Sequence, residues 1–83
     1  MYLLLIYDIS HDGTRTKIAS ACEDYGLDRI QYSAFTGQLS RNHQEELMLR
    51  IRSLLGQKAG CVQLFPVASD DWARRLQVEV NDD

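Results

Sequence analysis

The strongest constraint on this chain is an apolar run near its start that stops at an acidic residue. Residues 2–7 are almost entirely apolar, and Asp8 follows them directly. A run of this length predicts an interior strand covered on both faces. It is too short to span a membrane and lacks the basic segment and cleavage site of a signal peptide. We therefore expect Asp8 to close the first strand of a cytoplasmic protein.

The size and charge of the chain limit its class. Its 83 residues predict one domain, 1–83, with a thin core that gains stability from a second copy. The formal net charge of −3 argues against a nucleic-acid binder held by bulk electrostatics. Cys22 and Cys61 lack metal-ligand spacing, so we expect two buried, free thiols in a reducing compartment.

The middle of the chain alternates between helical and extended patterns. Apolar spacing predicts a helix from Thr14 to about Tyr25, capped by Asp12 and ended by Gly26. Residues 28–40 favour one strand or two short ones.

A second helix follows from the capping-box spacing of Asn42 and Glu45 and ends at Gly56. The remaining patterns indicate a strand over 61–67, a polar turn over 68–71 and a half-buried strand over 76–80. The order β-α-β-α-β-β predicts a two-layer α/β sandwich.

Asp8 is the best candidate for chemistry, because motifs for phosphate loops, zinc sites and serine nucleophiles are missing from the sequence. Asp8 is either a turn residue that hydrogen-bonds nearby backbone or a ligand for a divalent cation such as Mg²⁺. One aspartate per chain provides few ligands for a metal ion. A twofold axis near the strand end, however, brings two copies of Asp8 to one ion. Such an ion polarises a phosphodiester and activates water.

Other candidates surround this position. Tyr7 is a core residue whose hydroxyl can line the site, Ser10 lies in the following turn, and His11 is either a proton shuttle or a solvated side chain.

Three cations are candidate phosphate contacts. Arg15, Lys17 and Arg29 either hold phosphates or are ordinary solvated charges. Phe35 shares a face with polar residues in its segment, so its ring is a candidate for stacking on a base or packing on a partner.

Four motifs, taken in order, resemble the CRISPR-associated protein 2 family. They are Tyr7-Asp8-Ile9-Ser10, Arg15-Thr16-Lys17, Tyr25-Gly26 and Gln31-Tyr32-Ser33-Ala34-Phe35. The resemblance covers residues 1–40 closely and agrees in layout beyond them. It departs from the family at Thr36, where an acidic residue is common, and in the net negative charge.

The resemblance implies a ferredoxin-like fold, an antiparallel sheet with two helices on one face. It further implies a homodimer completed by C-terminal strands at about residues 75–80, and membership of the CRISPR spacer-acquisition complex of antiviral defence. There the dimer bridges dimers of the integrase subunit and holds DNA. Members are also described as metal-dependent endonucleases on RNA or DNA, with Asp8 as the metal ligand. The alternatives are a toxin-like endoribonuclease and a non-enzymatic ferredoxin-like interaction module, the latter favoured by the negative charge.

Overall fold

The computed structural model describes residues 1–82, in which the two long helices pack on one side of a sheet. The elements are β1 (Tyr2–Ile9), α1 (Asp12–Asp24), β2 (Asp28–Gln31), β3 (Ala34–Gln38), α2 (Arg41–Leu55), β4 (Gly60–Val67) and α3 (Ser69–Ala73). The four strands are antiparallel in the order β2-β3-β1-β4. This arrangement is the ferredoxin-like form of the predicted two-layer sandwich.

β1 is an interior strand, but the two long helices cover only one of its faces. Its odd-numbered side chains, such as Leu3 and Leu5, are fully buried with α1 and α2 in the core. Its even-numbered side chains point to the opposite face, where Ile6 and Asp8 are exposed. The prediction of cover on both faces is therefore wrong for this chain alone, because an apolar run does not specify which element covers each face.

The start of α1 differs from the prediction, whereas its end agrees with it. His11, not Asp12, is the N-cap, because its Nδ1 accepts the backbone N–H of Thr14 at 3.1 Å. Asp12 lies inside the first turn, where its carboxylate pairs with Arg15. At the other end Gly26 has a φ of 81°, a left-handed conformation that suits glycine.

The N-cap of the second helix is also a residue outside the predicted capping box. The hydroxyl of Ser40 accepts the backbone N–H of His43 at 3.2 Å, so Asn42 and Glu45 do not form a capping box. Gly56 ends the helix with a φ of 57°, as expected.

Residues 28–40 form a hairpin of two short strands. The chain turns at Tyr32 and Ser33, and a bulge interrupts the pairing between Arg29 and Gln31. The pairing is irregular at this bulge, and Arg29 lies opposite Phe35.

The C-terminal region departs most from the sequence pattern. The predicted polar turn is the beginning of α3, whose Trp72 stacks on Tyr2 with ring centroids 5.5 Å apart. The predicted strand over 76–80 is not formed in the single chain, and the side chains of Leu76, Val78 and Val80 are 90–99% exposed. Nothing in the described part of this chain pairs with that segment, so its alternating apolar and polar residues are not part of a sheet.

A membrane-spanning segment is not found among the helices of residues 1–82, since none is both long and apolar enough.

Candidate active site and cation-lined pocket

Asp8 lies within β1 rather than closing it. The strand continues to Ile9, and the Asp8 side chain is exposed on the sheet face that the helices leave open. Within the part of the chain that the structure describes, its carboxylate takes part in no side-chain hydrogen bond or ion pair. The turn interpretation is therefore not supported, and both carboxylate oxygens are available to a ligand.

Asp8 has a thiol as its cross-strand neighbour. It lies directly opposite Cys61 of β4, and both residues line a depression of about 140 Å³ together with Ile6, Tyr7 and Gln63. Cys61 is exposed, so the prediction of two buried thiols holds only for Cys22. The depression combines one carboxylate, one thiol and one amide.

Close approach of β4 to β1 depends on Gly60. A Cβ at this position would lie 3.1 Å from the carbonyl oxygen of Asp8 and 3.0 Å from a side-chain carbon of Ile9. The absence of a side chain lets β4 start beside Asp8 without displacing that backbone.

A hard divalent cation is compatible with this donor set in only one way. Across residues 1–82, no three His, Cys, Asp or Glu side chains form a group that holds a metal ion. Mg²⁺ commonly uses one or two carboxylates and keeps several waters. Asp8 is the one carboxylate among the residues that line this depression.

The residues flanking Asp8 have different positions from those expected of a proton relay. The Tyr7 side chain is in the helix-covered core, on the opposite face from Asp8, and its hydroxyl donates to the Tyr32 carbonyl at 3.5 Å. His11 uses Nδ1 to cap α1, and Ser10 is exposed in the turn. His11 therefore has a structural role that the sequence interpretation did not include.

Two of the predicted phosphate contacts meet in a pocket on the helix side of the sheet. Arg15 from α1 and Arg29 from β2 line a cavity of about 280 Å³; its other lining residues are Tyr7, Thr16, Ala19, Ser20, Glu23 and Tyr32. Arg15 Nη1 donates to the Ile9 carbonyl at 2.8 Å, which anchors this cation at the end of β1. Lys17 is exposed on α1 and does not line the pocket.

Aromatic rings support both guanidinium groups. Arg15 lies 5.7 Å from the centroid of the Tyr32 ring, and Arg29 lies 5.1 Å from that of Phe35. Burial raises the pKa of Tyr7, and the nearby Arg29 partly offsets that rise. On this side of the molecule the two guanidinium groups therefore lie against aromatic rings.

Phe35 is not available for stacking on a base or for contact with a partner. Its side chain is 0% exposed and packs in the core beside the Tyr7 ring. The prediction of an exposed ring is wrong because the bulge and turn before β3 change which face its residues occupy.

Sequence reasoning missed four residues that the structure brings to these two sites. Cys61 and Gln63 reach Asp8 through strand pairing, and Ser20 and Tyr32 join the arginines through the packing of α1 on the hairpin. Tyr32 had a usable signal, because an aromatic residue in a tight turn is commonly exposed. The others carried none, since register alone determines their neighbours.

Comparison with known proteins places these features in a family. The model of the family described as CRISPR associated protein Cas2 matches residues 1–75. A Chloroflexus aurantiacus protein named CRISPR-associated endoribonuclease Cas2 2 is 48% identical over 79 residues, which are 95% of this chain and 93% of that protein.

Solved structures have the same fold. Streptococcus pyogenes Cas2 at pH 6.5 superposes with a TM-score of 0.82 at 20% identity, covering 96% of this chain and 100% of that one. A chain from a partial Cas6-RT-Cas1-Cas2 complex gives a TM-score of 0.77 at 20% identity, covering 93% of this chain and 83% of that chain.

Proposed function

This chain belongs to the CRISPR-associated protein Cas2 family, and from that premise we propose that it is the dimeric Cas2 subunit of a CRISPR spacer-acquisition complex. In this role it bridges dimers of the integrase subunit and binds DNA. It also hydrolyses phosphodiester bonds of RNA or DNA in a metal-dependent reaction centred on Asp8. The observation that carries the proposal is the unpaired Asp8 carboxylate on an open, apolar sheet face.

The open sheet face supports pairing with a second copy. Leu4, Ile6, Ile30 and Phe65 give it an apolar surface, and Ile6, Ile30 and Phe65 are 37–45% exposed. A contiguous apolar patch of this kind marks an interaction site in soluble proteins.

The C-terminal segment supports the same partner. Residues 76–80 alternate apolar and polar, and the outer edge of β4 carries no strand among the described residues. A second copy supplies a matching segment for that edge by symmetry. In this dimer the segment at about residues 75–80 completes the partner's sheet.

Asp8 lies on the face that such a dimer covers, so a twofold axis at the end of β1 brings two Asp8 carboxylates together. The paired carboxylates would hold the cation, and the close approach of the β4 backbone at Gly60 keeps β4 beside Asp8. A bound Mg²⁺ supplies Lewis-acid activation of the phosphodiester and of water. The chain's own contribution is the placement of Asp8 in a rigid interior strand.

The cations supply nucleic-acid contacts despite the net charge of −3. Arg15 of α1 and Arg29 of β2 line one pocket, and Lys17 is exposed on the same helix as Arg15. Local clustering of this kind binds phosphates even when the whole chain is acidic.

Similar proteins support both parts of the proposal. The Chloroflexus aurantiacus relative is named an endoribonuclease, which supports nuclease activity. One solved chain of the same fold comes from a complex named for Cas1 and Cas2, which supports an integrase partner.

The test is cleavage of matched RNA and DNA strands with Mg²⁺ or with EDTA. Wild-type protein is expected to cleave with Mg²⁺, and Asp8→Asn is expected to lose this activity while remaining folded and dimeric. Asp28→Asn is the matched control, because Asp28 is also an exposed strand carboxylate but pairs opposite Thr36 at the other edge of the sheet. Equal loss in both variants contradicts the role of Asp8.

Bridging is tested separately from cleavage. Sedimentation equilibrium is expected to give a dimer, and the dimer is expected to form a complex with the integrase subunit encoded beside a CRISPR array. Asp8→Asn is expected to retain this complex. A dimer that binds the integrase but does not cleave nucleic acid supports the bridging role and contradicts the nuclease activity. A monomer at all concentrations contradicts the shared-cation site. An antitoxin gene in place of an integrase gene favours a toxin-like endoribonuclease.

A further inference from the structure

The pocket lined by Arg15 and Arg29 is separate from the face that carries Asp8. Its lining includes Arg15, Ala19 and Ser20 of α1, which packs on the helix-covered side of the sheet, whereas the Asp8 side chain is exposed on the opposite face of β1. The cavity of about 280 Å³ lies near the lower limit of small-molecule sites. A whole nucleic-acid duplex does not enter a concavity of this size.

The two guanidinium groups leave donors for an anion. Arg29 has no carboxylate within ion-pair distance among residues 1–82, and its strand is exposed. Arg15 is held by the Ile9 carbonyl and by Asp12, which together use two of its five N–H donors. Arg15 is therefore fixed in position and still able to bind a phosphate oxygen.

An aromatic ring and hydrogen-bonding groups complete the pocket. Tyr32 is 69% exposed at the tip of the β2–β3 turn, and Arg15 lies near its ring. Base stacking on an exposed aromatic ring is the common mode of binding single strands. Ser20 and Glu23 from α1 present a hydroxyl and a carboxylate that can bind the polar edge of a base.

We propose that this pocket binds one unstacked nucleotide of a single strand, with its phosphate on Arg15 and Arg29 and its base against Tyr32. The inference rests on the proposed nucleic-acid role of this chain and specifies the ligand class of that surface. It makes the pocket a selector for single-stranded or frayed segments, because a paired base does not reach the ring.

The first test uses mononucleotides and backbone amide NMR spectra. Adenosine 5′-monophosphate is expected to cause saturable shifts at Ser20, Arg29 and Tyr32. Adenosine alone and inorganic phosphate alone are expected to bind at least about 5-fold more weakly, since each lacks one of the two contacts. No saturable shifts, shifts centred on Asp8 and Cys61, or phosphate binding equal to that of the nucleotide each overturn the proposal.

The second test compares single-stranded and duplex oligonucleotides of one sequence. Arg29→Gln and Tyr32→Leu are each expected to lower single-strand affinity about 5-fold or more and to leave duplex affinity within about 2-fold. Lys58→Gln and Arg41→Gln are matched controls, because each removes one exposed positive charge outside the pocket. Equal losses on single strands and duplexes, or equal losses in the controls, overturn the pocket and leave only general phosphate attraction.

The outcomes also separate this proposal from the proposed function. Asp8→Asn is expected to bind adenosine 5′-monophosphate as wild type does, because Asp8 is on the other face. If the protein binds single strands and cleaves them in an Asp8-dependent way but does not bind the mononucleotide, the nucleotide pocket is contradicted and the proposed function stands. Mononucleotide binding without cleavage supports the pocket and counts against the nuclease.

Discussion

Asp8 and Cys61 face each other across β1 and β4, so the only carboxylate in this depression has a thiol as its cross-strand neighbour. Side chains at directly opposed positions of an antiparallel pair have Cβ atoms about 5 Å apart. Any arrangement that brings two copies of Asp8 together therefore also brings two copies of Cys61 to the same region. The thiol gives a chemical probe of the proposed twofold axis.

Cross-linking through Cys61 tests that axis. In a Cys22→Ala background, a short bismaleimide is expected to link two chains through Cys61 and produce a covalent dimer on a denaturing gel. Cys61→Ser in the same background is expected to give none. A protein that sediments as a dimer and does not cross-link has its axis elsewhere, which contradicts a cation shared by two Asp8 side chains.

The buried thiol of Cys22 predicts a loss of stability at alkaline pH. Burial raises the pKa of Cys22 from 9.0 to about 11. A pKa raised in the folded state means that the related stability is complete below about pH 9 and is lost as pH rises toward 11. In urea titrations, wild type is expected to lose more free energy of unfolding over this range than Cys22→Ala. Parallel pH profiles contradict the assignment.

His11 is expected to affect folding rather than catalysis. His11→Ala removes the cap of α1 and lowers the free energy of unfolding by about 1 kcal/mol, whereas His11→Asn retains a side-chain acceptor and most of that stability. Urea unfolding measures both changes. A folded His11→Asn variant that has lost cleavage restores the proton-shuttle hypothesis.

Phe35 is expected to affect stability and not binding. Phe35→Ala removes a fully buried ring and is expected to lower the free energy of unfolding by about 3–5 kcal/mol. Phe35→Leu retains more core volume and provides the folded variant for binding assays. Its affinity for a single-stranded oligonucleotide is expected to fall less than that of Arg29→Gln, because Phe35 contacts Arg29 from within the core and does not contact the nucleic acid. A larger loss than that of Arg29→Gln contradicts the buried role.

The salt dependence of binding measures the phosphate contacts of α1. Each phosphate contact removed is expected to reduce the steepness of log K against log salt by about 0.7 on single strands and about 0.9 on duplex DNA. Arg15→Ala with Lys17→Ala is therefore expected to weaken binding and flatten this slope. The two single variants separate Arg15, which also anchors the Ile9 carbonyl, from the exposed Lys17. An unchanged slope identifies both as surface charge.

Local patterns predicted the elements well where the relevant physics is local. The apolar periodicity of α2 and the left-handed glycines Gly26 and Gly56 are properties of short segments, and the structure agrees with them. The caps were wrong at both helices because a shift of one or two residues in the start of a helix changes which side chain reaches its first free N–H groups. Ser40 and His11 fill those positions.

The sequence by itself determined that β1 is an interior strand carrying Asp8, that two amphipathic helices accompany it, and that residues 76–80 favour a strand. Only the tertiary structure decided that helices cover one face of β1, that Cys61 is the neighbour of Asp8, and that Arg15 and Arg29 share a pocket while Phe35 is in the core. The physical reason is that periodicity gives each residue a side within its own element. Which residues of other elements lie on that side depends on strand register and helix packing, which join positions far apart in the chain.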